Sequence, residues 1–135
     1  MKTSKPTGLR SARPKLPRVS EEMKAWSAAL STEVRDWKQV TGRVFFGFTA
    51  LYRRDKIFAL LPRTRAMQSP NALAFKLESA SARMNALLRH DPLIGSTQMQ
   101  KAHWFTFEMS CDTDLRAAIE WLDRAYEEAG HAAET

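Results

Sequence analysis

Residues 44–61 read VFFGFTALYRRDKIFALL and contain two runs rich in β-branched and aromatic residues, 44–52 and 56–61. Residues of these types favour β-strands. Only three residues, 53–55, connect the runs, so the two strands are predicted to form an antiparallel hairpin. Asp55 is predicted to take the left-handed position of the turn, because aspartate tolerates that conformation. Pro62 is predicted to end the second strand, because proline has no amide hydrogen for the ladder.

A helix is predicted upstream of the hairpin. Ser20 is a favourable N-cap residue, and the two glutamates that follow it suit the first turn of a helix. Apolar residues then recur at spacings of three and four, which places them on one helical face. They are Met23, Trp26, Leu30, Val34 and Trp37. The helix is therefore predicted to extend to about Trp37 and to bury this face.

A third strand and a short second helix are predicted downstream of Pro62. Residues 72–77 alternate in the way expected of a strand, with Leu73, Phe75 and Leu77 towards the core. Ser79 or Ser81 is predicted to cap the second helix. That helix is predicted to end by His90, because the residue before Pro92 disfavours helical geometry.

The remaining elements complete an α+β fold. A loop over residues 91–102 is predicted to lead to a fourth strand over 103–109, with Phe105 and Phe107 towards the core. Asp112 is predicted to cap a last helix that ends at Gly130. The predicted order is α-β-β-β-α-β-α, with a four-stranded antiparallel sheet and helices packed against it.

Length and charge divide the chain into three predicted regions. A chain of 135 residues suffices for one packed core but is short for two, so a single domain is predicted over residues 21–130. Residues 1–20 hold six cationic residues and no acidic one, which predicts a disordered basic tail. Residues 131–135 are predicted to be a frayed C-terminus.

The composition favours a cytoplasmic protein without membrane association. No apolar run approaches the length of a membrane span, and the N-terminal residues lack the apolar segment of a signal peptide. Cys111 is the single cysteine and cannot form an intramolecular disulfide, which is typical of proteins in a reducing compartment.

Residues with catalytic or metal-binding chemistry are few. A metal site could be built only from His90, His103 and Cys111, and these lack the usual ligand spacing. Cys111 has no histidine placed by the sequence to act as its base, and no glycine-rich phosphate loop is present. The sequence therefore predicts no catalytic residue, no metal ligand and no cofactor.

Several short segments resemble the N-terminal domain of the TfoX competence-regulator family and, more loosely, the YjbR-like proteins. They are residues 42–47 (GRVFFG), 56–60 (KIFAL), 73–77 (LAFKL) and the strand at Trp104. The resemblance covers about residues 21–130 and implies an antiparallel sheet, packed helices and a link to DNA-related regulation. It implies no catalytic residue. The family usually has Arg-Met-Phe-Gly-Gly where this chain has RVFFG at 43–47, and this chain has no glycine in the hairpin turn that follows.

The sheet is predicted to carry an exposed partner surface. If the helices cover one face, strand alternation places apolar and charged residues on the other. These residues are Phe58, Leu60, Lys76, Trp104 and Thr106. In one interpretation this surface binds a protein partner or a second copy of the chain, as in a homodimer. In the alternative, the first helix or a dimer partner buries it as a second core.

A second candidate surface is basic. Arginines and lysines in the tail and near the hairpin are candidates for contacts with nucleic-acid phosphates. They are Arg10, Arg13, Lys15, Arg18, Arg53, Arg54, Lys56, Arg63 and Arg65. The alternative interpretation makes the tail a solubilising extension. Three hypotheses thus remain: a non-catalytic binding or self-association module, a nucleic-acid-associated accessory protein, and an enzyme.

Overall fold

The computed structural model describes residues 18–67, 69–77, 81–95 and 103–134. These contain three helices, α1 (Glu21–Arg35), α2 (Ala82–His90) and α3 (Asp114–Glu134), and six strands. The strands are β1 (Val40–Phe45), β2 (Phe48–Arg53), β3 (Lys56–Pro62), β4 (Ala72–Lys76), β5 (Ile94–Gly95) and β6 (Trp104–Glu108). They form one antiparallel sheet in the order β1-β2-β3-β4-β6-β5. The predicted α+β class and antiparallel sheet are confirmed, whereas the predicted number of four strands is wrong.

The first additional strand arises because residues 44–52 are not one strand. A turn at Phe46 and Gly47, with φ values of 47° and 87°, divides them into the end of β1 and most of β2. Two consecutive positive φ values are typical of the tight two-residue turns that match the twist of paired strands. Phe45 therefore pairs with Phe48 across a hairpin that the sequence analysis did not predict.

The second additional strand, β5, lies in the segment predicted as a loop. Ile94 pairs with Phe107 of β6, so a two-residue strand extends the sheet at this edge. The hairpin between β2 and β3 is confirmed, but its left-handed residue is Arg54, with φ of 58°, and not Asp55. β3 ends at Pro62, as predicted.

Predicted capping residues precede α1 and α2, whereas α3 begins and ends elsewhere than predicted. Ser20 caps α1, and its Oγ accepts a hydrogen bond of 3.0 Å from the amide of Met23, as predicted. Ser81 caps α2, which ends at His90. α3 begins at Asp114 instead of directly after Asp112, whose carboxylate accepts a 2.7 Å bond from the indole of Trp26. The prediction that Gly130 ends this helix is wrong, because α3 continues to Glu134.

The main core lies between one face of the sheet and the helices. Leu73, Phe75 and Phe107 are fully buried there, as predicted, together with the apolar face of α1 and that of α3. The ring of Phe75 stacks on Trp121 of α3 at a centroid distance of 5.4 Å and on Phe105 at 5.9 Å. Phe75 therefore lies at the centre of the contact between sheet and helices.

The predicted partner surface requires a correction. The register shifts between Leu51 and Tyr52 of β2, which places a β-bulge opposite them in β3. Phe58 is fully buried, and its ring lies 5.8 Å from that of Tyr126 on α3. Phe58 thus belongs to the helix-covered core. A bulge changes which side chains share a face, and simple alternation cannot anticipate it.

The opposite face is also more buried than predicted. Leu60, Ala74 and Thr106 are cross-strand neighbours, and both Ala74 and Thr106 are buried. Ala66 and Met67, in the loop after β3, are buried outside the main core. Only Leu60, Lys76 and Trp104 of the predicted surface are partly exposed. The first helix does not form a second core on this face, because the apolar side of α1 packs in the main core.

Within the described segments, no helix combines the length and the apolar composition needed to cross a membrane.

Candidate nucleic-acid interface

The basic residues predicted to form one surface lie at two ends of the sheet. Arg53, Arg54 and Lys56 flank the turn between β2 and β3, whereas Arg63 and Arg65 follow the far end of β3. A six-residue strand such as β2 separates these ends by about 20 Å. The basic residues near the hairpin are therefore divided between two separate places on the sheet. Arg10, Arg13 and Lys15 lie outside the described residues.

Arg53 is a structural residue and not a surface contact. Its side chain is only 16% exposed, and its guanidinium lies 4.1 Å from the ring centre of Tyr126. Nη1 donates a 3.2 Å hydrogen bond to the carbonyl oxygen of Tyr126 and lies 4.0 Å from Glu127. A Cβ atom on Gly130 would clash with this guanidinium, so the glycine within α3 accommodates Arg53.

The most exposed apolar residues of the described chain lie at the turn between β1 and β2. Phe46 is 79% exposed, Val44 69% and Phe45 45%. The two phenylalanine rings contact each other edge to face, with centroids 4.7 Å apart. The sequence pattern predicts these residues inside one strand, so their exposure at a turn was not predicted. The pairing of Phe46 with a following glycine was the available signal, because it permits a tight turn.

Arg63 and Arg65 are held beside these aromatic residues by the backbone. The carbonyl oxygen of Gly47 accepts hydrogen bonds from the amides of Arg63 at 2.9 Å, Thr64 at 3.0 Å and Arg65 at 3.3 Å. Arg65 also forms an antiparallel bridge with Arg18, the first described residue, so the chain that follows the basic tail enters the domain here. We call Val44, Phe45, Phe46, Arg63 and Arg65 the tip patch.

The tip patch has a positive electrostatic environment. Between residues 37 and 77 the only acidic residue is Asp55, which lies at the opposite end of β2 and β3. Both arginines of the tip patch are exposed. The patch therefore combines accessible aromatic rings with cations that no nearby acidic residue of this hairpin region neutralises.

Gly47→Ala is expected to destabilise the protein by about 1–2 kcal/mol, since a residue with a side chain is strained in the left-handed region. The added Cβ would also lie 2.8 Å from Cγ of Arg65. Gly47→Asn is the matched variant, because asparagine tolerates positive φ better than alanine. Urea unfolding of both variants checks this prediction. Equal stability of Gly47→Ala and the unmodified protein would contradict it.

The residues considered for metal binding or nucleophilic chemistry are not assembled into a site. Among the described residues, no group of three or more histidine, cysteine or acidic side chains is placed to hold a metal ion. Cys111 is exposed, with Sγ 2.9 Å from Oγ1 of Thr113. Hydrogen bonds from the backbone and side chain of Ser110 and from Cys111 lower the pKa of Asp114. These contacts stabilise the turn before α3.

A groove of about 320 Å³ lies between α2 and α3. Asp91 accepts a 2.9 Å hydrogen bond from the indole of Trp121 and a 3.0 Å bond from the amide of Leu93. The guanidinium of Arg124 lies 4.4 Å from the centre of the Trp121 ring. These contacts join α2 to α3, and they give the groove a structural role.

Comparison of the chain with models of known protein families, with curated proteins and with solved structures gives no match.

Proposed function

We propose that the protein is a non-catalytic module that binds single-stranded nucleic acid through the tip patch. The observation that carries the proposal is the exposed pair of Phe45 and Phe46 beside Arg63 and Arg65. Proteins that bind single strands combine aromatic side chains, on which bases stack, with cations that follow the phosphates. The sequence resemblance to the TfoX N-terminal domain supports the same proposal, because it implies a DNA-related role.

The geometry favours a single strand over a duplex. The tip is a narrow two-residue turn with two adjacent rings, and base stacking on such rings requires bases that are not already paired. α1 and α3 carry acidic residues alongside their basic ones, and α2, which has Arg83, Arg89 and His90 without an acidic residue, is only nine residues long. The basic tail adds sequence-independent attraction to phosphates.

Self-association is a second candidate, supported by the position of β1. This strand is at the edge of the sheet and pairs only with β2, and Val44 on it is exposed. An unpaired edge can add a strand from another molecule. A dimer formed in this way would place Arg43 and Val44 of both copies at the junction between the two sheets.

The Phe45→Ala/Phe46→Ala double variant is expected to bind oligothymidine at least about tenfold more weakly, because each stacked base contributes about 1–3 kcal/mol. Fluorescence anisotropy with a labelled strand, at several salt concentrations, measures this change. Arg65→Ala is expected to lower the slope of log affinity against log salt concentration by about one, because one phosphate contact is lost. Leu87→Ala is the control, since Leu87 is an exposed apolar residue on α2, away from the tip.

Three outcomes would contradict the proposal. The double variant could bind the strand as well as the unmodified chain does. The tip could bind anionic lipid vesicles in place of the strand, which would make it a membrane contact. Sedimentation could show a dimer that the double variant disrupts, without strand binding, which would favour self-association. Replacing Arg10, Arg13 and Lys15 with glutamine separates the contribution of the tail from that of the tip.

A further inference from the structure

The hairpin of β1 and β2 has an outer face that points away from the helices. Residues directly opposite each other in an antiparallel pair lie on the same face, as do alternate residues of one strand. Leu51 is fully buried in the main core, so its neighbours Ala50 and Tyr52 point to the outer side. The register then assigns six residues to this outer hairpin face: Thr41, Arg43 and Phe45 of β1, and Phe48, Ala50 and Tyr52 of β2.

The outer hairpin face carries accessible aromatic and cationic side chains. Arg43 is exposed, and Phe45 is 45% exposed. Phe48 and Tyr52 are half-buried. Ala50, opposite Arg43, is fully buried, so the arginine and the aromatic residues form the accessible part of the face. Phe45 belongs both to this face and to the tip patch, and the two surfaces are therefore continuous.

Arg43 is held on this face by Tyr52. Its guanidinium carbon lies 5.2 Å from the centre of the Tyr52 ring. A cation–π contact of this kind leaves the N–H groups at the edge of the guanidinium for another acceptor. Arg43 forms no ion pair within the described segments, and Asp55, the only acidic residue between residues 37 and 77, lies beyond the far end of β2. A phosphate can therefore bind Arg43 without displacing a carboxylate.

The helix-facing side of β1 is occupied by Arg35 at the same level. Nη2 of Arg35 donates a 3.3 Å hydrogen bond to the carbonyl oxygen of Gly42, the residue before Arg43. A Cβ atom on Gly42 would lie 2.7 Å from Nε of Arg35, so this guanidinium covers the side of the strand on which a side chain of residue 42 would lie. The outer face is therefore the open side for a ligand that follows β1 away from Phe45.

The outer hairpin face has the length of a short oligonucleotide. Phe45 and Thr41 are at its two ends on β1, and Thr41 lies opposite Tyr52. Because a strand advances about 3.4 Å per residue, the two ends are about 14 Å apart. A stacked nucleic-acid strand also advances about 3.4 Å per nucleotide, so roughly four nucleotides span the face. This number is at the lower end of the site sizes of proteins that bind single strands.

We propose that single-stranded nucleic acid runs along the outer hairpin face, from the tip patch towards Tyr52, with Arg43 on one of its phosphates. This path extends the tip patch and rests on the proposed function. Phe45 stacks on a base at the start of the path, and Tyr52 acts through Arg43 as a positioning residue. The face suits an anion with unpaired bases, because it offers a cation beside aromatic rings and none of its six residues is acidic.

Fluorescence anisotropy of the full chain with oligothymidines of two, four, six and ten nucleotides tests this path. Affinity is expected to rise up to about six nucleotides, because about four lie along the face beyond those at the tip. Arg43→Gln is expected to weaken binding of the six-nucleotide strand about tenfold, as loss of a hydrogen bond to a charged group does, and to leave the two-nucleotide strand unaffected. Arg89→Gln on α2 is the matched control, because Arg89 is also exposed.

Two substitutions of Tyr52 test its positioning role. Tyr52→Leu is expected to weaken binding of the six-nucleotide strand, whereas Tyr52→Phe is expected to retain it, because phenylalanine keeps the ring on which the guanidinium lies. Thermal unfolding checks that both variants fold. If Tyr52→Leu does not fold, Arg43→Gln decides the result by itself, since Arg43 is an exposed side chain.

Failure of this path and failure of the tip patch give different results. Affinity that does not rise beyond two nucleotides would overturn the path and leave the tip patch in place. Equal binding of the six-nucleotide strand by Arg43→Gln and the unmodified chain would do the same. A length dependence that disappears when Arg10, Arg13 and Lys15 are replaced with glutamine would belong to the tail and would also overturn the path. Absence of binding at every length would overturn both the path and the proposed function.

Discussion

Phe75→Ala is expected to lower the free energy of unfolding by about 3–5 kcal/mol. The side chain is fully buried, and its ring stacks between Trp121 of α3 and Phe105 of β6. Truncation removes both ring contacts and leaves a cavity that the rigid sheet and α3 can fill only in part. Urea unfolding followed by tryptophan fluorescence measures the change, since Trp121 is one of the affected residues.

Phe46→Ala is the matched control for this prediction. The chemical change is identical, but Phe46 is 79% exposed, so the free energy of unfolding should change by no more than about 0.5 kcal/mol. Phe46→Ala should instead weaken strand binding. Similar losses of stability in the two variants would show that the ring of Phe46 is packed in solution and would remove the main support for the tip patch.

Arg53→Ala is expected to lower the free energy of unfolding by about 2 kcal/mol. The variant loses the cation–π contact with Tyr126, of about 0.5–2 kcal/mol, and the hydrogen bond to its carbonyl oxygen. Arg65→Ala is the control, since Arg65 is exposed and its loss should affect binding more than stability. The reverse pattern, with Arg53→Ala affecting only binding, would restore Arg53 to the nucleic-acid surface.

Gly130→Ala provides a second test of the role of Arg53. Alone, the added Cβ would displace the guanidinium and destabilise the protein. In the Arg53→Ala background the clash is gone, and alanine should stabilise α3 by up to about 1 kcal/mol through its higher helix propensity. The two substitutions should therefore be strongly non-additive. Additive effects would mean that Arg53 and Gly130 do not contact each other.

Local signals in the sequence predicted most of the secondary structure. The caps of α1 and α2, the end of β3 at Pro62 and the buried face of α1 each depend on neighbouring residues and on helical spacing. The antiparallel pairing of β2 with β3 followed from the short connection between them. Errors arose where a partner distant in sequence decides the outcome, as for β5, which is a strand only because it pairs with β6.

The candidate site was only partly predictable, because exposure is a property of the packed molecule. The sequence indicated basic residues near the hairpin, but it could not separate Arg53, which is covered by α3, from Arg65, which no helix covers. It also placed Phe45 and Phe46 inside a continuous strand, because they belong to a β-rich run. Their exposure follows from the position of the turn at the end of an edge hairpin.

The sequence by itself determined the α+β class, the cap of α1 and the apolar faces of α1 and β4 that enter the main core, because these depend on spacing and local hydrogen bonding. The tertiary structure decided the bulge that buries Phe58, the use of Arg53 in packing and the assembly of the tip patch. The physical reason is that burial and charge proximity depend on which elements lie against each other. That arrangement depends on contacts between residues far apart in the chain, and a short stretch of sequence does not reveal them.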